Sequence, residues 1–429
     1  MKDLKRKIHY WCSDTMQNKI TGKGVVCAVL DTGITQHPDL VGRIVGWKDC
    51  VQGKKTIYDD NGHGTHVAGI LAGNGKSGRG LYSGMAPEAQ IFAVKVLNQR
   101  GGGKIRDVIN GIRYVLLKQK EMKIRIVNIS IGTLPHKKDP EDELFLFWVE
   151  RLWDAGLVVV TAAGNKGPKE GSVTIPGNSR KVITVGADEE LGKKYSGCGP
   201  TGDCIKKPDL AVPGNRIYSC NYLYPVRSPY AYIPKTGTSM ATPVVSGAAA
   251  LVLQKYPDMC NLELKYRLWN SCEKGRYYDQ RQGHGNLHVE KFLECQEKIL
   301  DTLFFLVYYT KGKRKGVAMK DIFKSSLLYD FYGELLTEHQ KEIYEDFILN
   351  DLSLGEIAQD RGISRQGVHD LVKRCDKILN GYEEKLHLVE RFTKTKEDVA
   401  EICKLADEPD NQCNVNRIKQ IAQHILENY

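Results

Sequence analysis

The sequence lacks the features of an exported or membrane-bound protein. Its longest apolar run, near residues 303–309, is far shorter than the roughly 20 residues of a membrane-spanning helix. The basic amino terminus at 1–7 is not followed by the apolar segment of a secretory signal. None of the twelve cysteines forms a Cys-x-x-Cys pair or a Cys/His cluster with zinc-site spacing. These absences predict a cytoplasmic chain without a membrane span, whose cysteines are reduced, small buried apolar residues.

Length and charge both indicate two domains. The chain of 429 residues is longer than one compact core usually supports. Residues 1–318 carry 47 Lys and Arg against 30 Asp and Glu, a net charge of +17, whereas residues 319–429 carry 15 against 22, a net charge of −7. The basic stretch 310–315 has the composition of a linker, either a solvated tether or a nucleic-acid contact. The sequence therefore predicts a first domain at 1–295, a linker at 296–318 and a second domain at 319–429.

Strand and helix signals alternate in the first domain. Continuous apolar runs predict strands that are buried on both faces, at 25–30, 91–96, 124–129, 157–162 and 182–185. Helical stretches lie between and after them, at 64–71, 107–118, 142–153 and 240–254. This rhythm predicts an α/β fold, a parallel sheet with helices on both faces.

Three glycine-containing stretches supply an acid, a base and a nucleophile in that order. They are Asp-Thr-Gly at 31–33, His-Gly-Thr-His at 63–66 and Gly-Thr-Ser-Met-Ala at 237–241. A serine hydroxyl needs a neighbouring base to remove its proton, and an imidazole titrates near neutral pH. We predict that Ser239 is the nucleophile, His63 the base and Asp31 the group that orients the imidazole. Taken singly, each also fits a structural role: a turn aspartate, a structural or metal-binding histidine and a helix-capping serine.

A fourth residue is predicted to stabilise the negative charge of the reaction. Ser239 opens a predicted helix, whose free N–H groups favour an oxyanion beside the Ser239 amide. Asn165, in Ala-Ala-Gly-Asn at 162–165, is the candidate side-chain donor. Its alternative role is that of a turn residue in the left-handed conformation.

The first domain resembles the subtilisin-like serine proteases, the subtilase family, over residues 20–290. The resemblance rests on the three stretches above and on His-Pro-Asp-Leu at 37–40, Lys-Pro-Asp-Leu at 207–210 and Thr-Pro at 242–243. The missing export signal is similar to the intracellular branch of the family. The resemblance implies a polypeptide substrate and no cofactor for the chemistry. It also implies that Ser130, Ile131 and Gly132 pair with the extended substrate, and that Ala162, Ala163 and Gly164 wall the pocket before the scissile bond.

Three positions modify what the resemblance implies. Thr174 stands where many family members have glycine at the floor of that pocket, so its β-branched side chain is expected to narrow the pocket. Lys166 follows Asn165 near the pocket rim and is expected to attract an acidic side chain. Asp39 matches a calcium ligand of secreted relatives, although the loop at 73–79 lacks a convincing set of oxygen ligands. Calcium is therefore a possible, not a required, ion.

Residues 319–429 predict an all-α domain with a helix-turn-helix. Capping-box patterns at 337–340 and 353–356 mark helix starts, and Gly362 separates two apolar helical faces. In a helix-turn-helix the second helix enters the major groove of DNA. The net negative charge argues against strong binding, so the alternative is an interaction module that binds no nucleic acid. The predicted contacts to bases and phosphates are Arg365, Gln366, His369, Lys373 and Arg374.

This second domain is similar to the YlxM-type helix-turn-helix proteins and to the last region (region 4) of sigma factors. The resemblance rests on Asp-Phe-Tyr at 330–332, Leu-Ser-Leu-Gly-Glu-Ile-Ala at 352–358 and Ile-Ser-Arg-Gln-Gly-Val at 363–368. It implies action with the signal recognition particle pathway.

An internal methionine, Met319, begins the second resemblance. The codons of Lys-Gly-Val-Ala at 315–318 allow a purine run like a bacterial ribosome-binding site. We therefore hypothesise that two formerly separate reading frames are joined in a fusion protein. Resequencing tests this, since a stop codon between 293 and 319 would make the join an artefact.

Two functions follow from the sequence. The first is a serine endopeptidase that hydrolyses peptide bonds through an acyl-enzyme and carries a DNA- or RNA-binding helix-turn-helix. The alternative is a nucleic-acid-associated regulator of the signal recognition particle pathway, with an inactive protease body.

Overall fold

A computed structural model gives the structure of the chain in two compact units, Met1–Gln296 and Glu297–Tyr429. In the first unit it describes residues 1–10, 20–134, 139–188, 195–202, 205–274 and 282–294. In the second it describes 325, 328–329, 331–348, 354–391, 394, 398 and 417. The predicted linker at 296–318 lies outside the described residues. Within the described part of the chain, no helix is long and apolar enough to cross a membrane.

The first unit is built on a sheet that is parallel except at one edge. Its described strands lie in the order β10-β11-β7-β6-β5-β4-β1-β3-β2, and only the β10–β11 pair is antiparallel. A separate antiparallel pair is formed by β8 and β9. The strands are β1 (Val26–Asp31), β2 (Ile44–Asp49), β3 (Gln90–Lys95), β4 (Ile124–Ile129), β5 (Val158–Ala162), β6 (Ile183–Asp188), β7 (Leu210–Pro213), β8 (Ile217–Cys220), β9 (Tyr232–Lys235), β10 (Cys272–Glu273) and β11 (Asn286–Leu287).

Helices cover both faces of the sheet. All six residues of β1 are buried, and successive residues of a strand point to opposite faces, so both faces must be covered. The helices of this unit are α1 (Lys2–Lys7), α2 (His63–Ala72), α3 (Ile105–Lys118), α4 (Pro140–Asp154), α5 (Thr238–Lys255), α6 (Asn261–Asn270) and α7 (Val289–Leu293). Helices α2 and α5 pack on each other and on the sheet, as do α3 and α4. The predicted α/β fold is confirmed.

The strand order places the site. The chain passes from β1 to the edge strand β2, returns through β3, and then continues on the other side of β1 with β4 and β5. In open parallel sheets such a reversal opens a crevice at the carboxyl ends of the strands. Asp31 ends β1, Ser130 follows β4 and Asn165 follows β5, so three predicted site residues lie along this edge.

The amino-terminal segment packs on the same core. Leu4 and Ile8 are buried in it. The ammonium of Lys5 donates to the Gly84 carbonyl at 2.9 Å, and the Tyr10 hydroxyl donates to the Met85 carbonyl at 3.0 Å. Residues 1–10 are therefore part of the folded unit.

The second unit has its own helical core. It contains α8 (Glu338–Ile348), α9 (Leu354–Arg361) and α10 (Arg365–Leu386). Gly362, with φ +65°, turns the chain between α9 and α10. The Ser364 hydroxyl caps α10 by accepting from the Gly367 N–H at 3.0 Å. Val368, Val372 and Cys375 of α10 are buried.

Candidate active site

Asp31 and His63 form a direct hydrogen bond at the carboxyl edge of the sheet. Asp31 Oδ1 lies 2.7 Å from His63 Nδ1, and the same oxygen accepts from the Thr32 N–H at 2.7 Å. The Asp31 side chain is 1% exposed and that of His63 is 23% exposed. The closeness depends on Gly64, because a Cβ there would lie 2.2 Å from the Gly33 carbonyl oxygen and 3.1 Å from the Asp31 Cβ.

The carboxylate of Asp31 sets the proton affinity of His63. Burial disfavours the imidazolium, but the charge of Asp31 and its hydrogen bond outweigh that penalty. The pKa of His63 is therefore raised above its ordinary value of 6.5. The cation of Lys235 acts in the opposite direction and lowers the pKa of His63.

Asp59 organises the turn that carries His63. One oxygen accepts from the Gly62 N–H at 2.7 Å and from the Thr32 hydroxyl at 2.9 Å, and the other accepts from Thr65 N–H and hydroxyl groups. Thr32 in turn accepts from the Gly64 N–H at 2.9 Å. Sequence reasoning missed Asp59; its signal was an acidic residue shortly before Asn-Gly, where an Asx turn is favoured.

The Ser239 hydroxyl is bound to a backbone carbonyl and, among the described residues, makes no hydrogen bond with His63. Its Oγ donates to the Ser130 carbonyl at 3.0 Å, and the Ser130 hydroxyl lies 3.2 Å from the Ser239 carbonyl. Asn128 Nδ2 donates to the Ser130 hydroxyl at 2.9 Å. The end of β4 therefore holds the start of α5 through a reciprocal pair of serine contacts.

Asn165 is anchored by its carbonyl oxygen. Asn165 Oδ1 accepts from the Thr238 N–H at 2.9 Å and from the Thr238 hydroxyl at 3.1 Å. The Thr238 hydroxyl also accepts from the Gly164 N–H at 3.2 Å. These bonds fix the orientation of the amide, so Asn165 Nδ2 remains available as a donor beside the start of α5.

Four of the residues expected to bind substrate lie together, namely Gly132, Ala163, Gly164 and Thr174. Thr174 is buried and lies between the predicted substrate-pairing segment and the predicted pocket wall, since a Cβ on Gly132 would come within 2.4 Å of its Oγ1 and one on Gly164 within 2.5 Å of its Cγ2. Its backbone N–H donates to the Ala163 carbonyl at 3.0 Å. Lys166 is exposed beyond Asn165, while Ala162 is buried at the end of β5 and Ile131 is half-buried.

Asp39 does not fit a calcium ligand. Its Oδ1 accepts from the Ser77 N–H at 2.8 Å, and its Oδ2 accepts from the Tyr232 hydroxyl at 2.6 Å. The carboxylate is fully buried, with the His37 Nδ1 at 3.9 Å from Oδ1. Calcium needs six to eight oxygen ligands, whereas hydrogen-bond donors surround this carboxylate.

The candidate nucleic-acid residues occupy the first turns of α10 and the stretch beyond. Arg365, Gln366, Lys373 and Arg374 are exposed, and His369 is partly exposed. Gln366 Nε2 donates to an Asp370 carboxylate oxygen at 2.9 Å, so an acidic residue stands among them.

The fold and the site together define a serine hydrolase of the parallel α/β class. Residues 22–285 match the family model described as "Subtilase family", and 319–421 match that of the helix-turn-helix proteins described as "YlxM / p13 like". The chain belongs to the subtilase family and is a subtilisin-like serine protease joined to a YlxM-like helix-turn-helix region. Proteases of this kind act on polypeptides.

Named relatives agree with this assignment. The "Serine protease AprX" of Bacillus subtilis (strain 168) is 42% identical over 306 residues, which cover 65% of this chain and 68% of that protein. "Subtilisin Savinase" of Lederbergia lenta is 37% identical over 256 residues, 59% of this chain and 84% of that protein. The solved structure of "Sphericase" is similar with a TM-score of 0.55 and 31% identity, over 63% of this chain and 92% of that chain.

Proposed function

We propose that the chain is an endopeptidase with Asp31, His63 and Ser239 as its catalytic triad. The observation that carries the proposal is the 2.7 Å bond between Asp31 Oδ1 and His63 Nδ1, which leaves His63 Nε2 to act as the base. Attack requires the Ser239 hydroxyl to exchange its present acceptor, the Ser130 carbonyl, for His63 Nε2. Rotation of a partly exposed serine takes place in picoseconds to nanoseconds, far faster than turnover.

The reaction then has two halves. Ser239 Oγ bonds to the carbonyl carbon of the substrate as its proton passes to His63 Nε2, and His63 returns that proton to the departing amine. A water molecule, deprotonated by His63, attacks the resulting acyl-enzyme, and Ser239 leaves with the returned proton. Asp31 holds the tautomer and stabilises the imidazolium in both halves.

Asn165 and the Ser239 N–H would stabilise the oxyanion of each tetrahedral intermediate. Asn165 Nδ2 is available because its oxygen is bound to Thr238. The Ser239 N–H lies in the first turn of α5, where backbone N–H groups lack helical acceptors. Two donors fixed before the reaction stabilise the developing charge at no cost in reorganisation.

The pocket for the residue before the scissile bond would be narrow. Thr174 fills the space between Gly132 and Gly164, so a large aromatic side chain would meet its β-branched carbon. Exposed Lys166 would favour an acidic side chain at the rim. Cleavage of a peptide library tests both expectations, and a clear preference for large aromatic residues would contradict them.

A fluorophosphonate probe tests the catalytic proposal. The folded wild-type chain should be labelled on Ser239, and the folded Ser239→Ala variant should not. In subtilisin, loss of the nucleophile lowers turnover by about 10⁶, so a similar loss of peptide cleavage is expected. Absence of labelling on folded wild type would instead favour the regulator with an inactive protease body.

We further propose that the chain is located in the cytoplasm and that its helix-turn-helix region binds nucleic acid there. Support comes from the capped helix α10, which exposes Arg365, Lys373 and Arg374. The family resemblance suggests a link to the signal recognition particle. With Asp370 among the basic residues, the binding should be weak and salt-sensitive.

This second proposal is tested with the full-length Ser239→Ala chain, which cannot cleave itself. Its binding to signal recognition particle RNA and to a random DNA duplex is measured by fluorescence anisotropy at several salt concentrations. Arg365→Ala should weaken binding, whereas Lys120→Gln in the first unit should not. An affinity that changes neither with salt concentration nor in the Arg365→Ala variant would contradict the proposal.

A further inference from the structure

We propose that a pocket beside the turn of His63 binds an acidic side chain of the polypeptide substrate, on the leaving-group side of the scissile bond. This inference rests on the endopeptidase function proposed above. It assigns a specificity site formed by three segments, 35–36, 55–59 and 222–227.

The pocket adjoins the catalytic turn directly. It has a volume of about 670 Å³, and Tyr58, Tyr222 and Tyr224 are among its walls. Gly62, the residue before His63, has φ +88°, and a Cβ there would lie 2.1 Å from the Tyr222 ring. One wall of the pocket therefore packs on the backbone that positions His63.

Its position identifies which part of the substrate reaches it. The segments expected to bind the acyl side, 130–132 and 162–164 with Thr174, contribute no residue to this pocket. The pocket follows β1 through Thr35 and precedes His63 through Asp59. Because His63 protonates the departing amine, the leaving segment of the substrate begins at His63 and continues on this side.

The charges that face the pocket favour an anion. Lys55 and Arg227 are exposed and belong to different segments of its lining. Asp59 is the lining carboxylate, but it is 6% exposed and its oxygens accept from Thr32, Gly62 and Thr65. A carboxylate that enters therefore meets two cations and no exposed anion of the lining.

A third cation lies closer to the reacting atoms. Lys235 ends β9, four residues before Ser239, and is half-buried. Its ammonium makes no hydrogen bond or ion pair with the residues that the structure describes. Burial lowers the pKa of Lys235, while the carboxylates of Asp59 and Asp31 act to raise it. An acidic substrate residue near the scissile bond would give this ammonium a partner.

The effect expected is moderate. Ion pairs that form at exposed lysine or arginine side chains are worth roughly 0.2–1 kcal/mol, which corresponds to about a one- to fivefold change. Two cations acting on one carboxylate should therefore favour Asp over Asn by about fivefold in kcat/KM at low salt. The preference should fall as salt screens the charges.

Internally quenched peptides measure this preference. The peptides share every residue before the scissile bond and carry Asp, Asn or Lys at one of the first four positions after it. Wild type should favour Asp over Asn over Lys at one or more of these positions. The double variant Lys55→Gln/Arg227→Gln should lose the preference for Asp at the positions farther from the scissile bond. The variant Lys235→Gln should lose the preference for Asp at the position next to the scissile bond. The matched control is Lys120→Gln. Lys120 is an exposed lysine shortly before the amino end of β4, whereas the site lies at the carboxyl ends of the strands.

The outcomes separate the two proposals. Cleavage of the Asn peptides with no Asp preference at any position, at low salt, overturns the pocket assignment and leaves the endopeptidase function intact. An Asp preference that survives in both the Lys55→Gln/Arg227→Gln double variant and Lys235→Gln also overturns it. If folded wild type neither cleaves any peptide nor reacts with fluorophosphonate, the proposed function fails and this inference fails with it. The comparison of Asp, Asn and Lys peptides on the wild-type protein does not depend on whether any variant folds.

Discussion

The side-chain oxygen of Asn165 accepts a hydrogen bond from the backbone N–H of Thr238 at 2.9 Å. Thr238 directly precedes Ser239, so this bond fixes the amide of Asn165 relative to Ser239, the proposed nucleophile. The position of Asn165, the proposed oxyanion donor, relative to Ser239 is therefore held by a hydrogen bond to the backbone of α5.

Asn165→Ala should lower kcat with little change in KM, since the lost donor acts mainly in the transition state. A loss of about 10²–10³ is expected, the size known for the equivalent donor in subtilisin. Steady-state kinetics on a peptide substrate measures it. The control Thr238→Val keeps the N–H that binds Asn165 and should lose far less; equal losses would mean that the Asn165 amide is not held in this way.

The activity of the wild type should rise with pH along an acid limb whose apparent pKa exceeds 6.5. His63 must be neutral to accept a proton, and Asp31 raises its pKa, so the active form appears only as pH passes that raised value. The Lys235 cation lowers the pKa of His63, so Lys235→Gln should move the limb to higher pH. The pH profile of kcat/KM reports both. A limb that moves to lower pH in this variant would contradict the electrostatic assignment.

Asp39 should stabilise the protein independently of calcium. Its oxygens are bound by the Ser77 N–H and the Tyr232 hydroxyl. Tyr232→Phe leaves a buried carboxylate oxygen without that donor and should lower stability by about 1–3 kcal/mol. The fall in Tm should be the same in excess Ca²⁺ and in a chelator. A stability gain on adding Ca²⁺ that disappears in Asp39→Asn would show that a cation binds there after all.

Asp209 should be among the most sensitive positions for stability. It is buried with Lys207 Nζ at 2.6 Å and Lys265 Nζ at 3.7 Å, and it accepts from the Trp269 ring N–H at 3.1 Å. Asp209→Asn removes the charge that both ammonium groups face and should cost about 3–5 kcal/mol. Chemical denaturation measures the change. The control Asp154→Asn breaks an exposed pair with Lys181 and should cost at most about 1 kcal/mol.

Much of this architecture could be predicted from the sequence. The central strands β1, β3, β4, β5 and β6 are predominantly apolar because both of their faces are covered, and this local pattern is enough to find them. The edge strand β2 was not predicted, since its residues are mostly half-buried and mix polar with apolar types. Strands β7, β8 and β9 are four residues long and gave no periodic signal.

The sequence by itself determined which groups are available for chemistry: their order, their glycine turns and the helix that begins near Ser239. Only the tertiary structure decided how they are held. It showed that Asp59 fixes the His63 turn, that Ser130 holds the Ser239 hydroxyl, and that Tyr232 satisfies Asp39. These contacts join residues that are up to 193 positions apart in the chain. The physical reason is that hydrogen bonds depend on distance in space, and parallel strands bring distant segments to one edge.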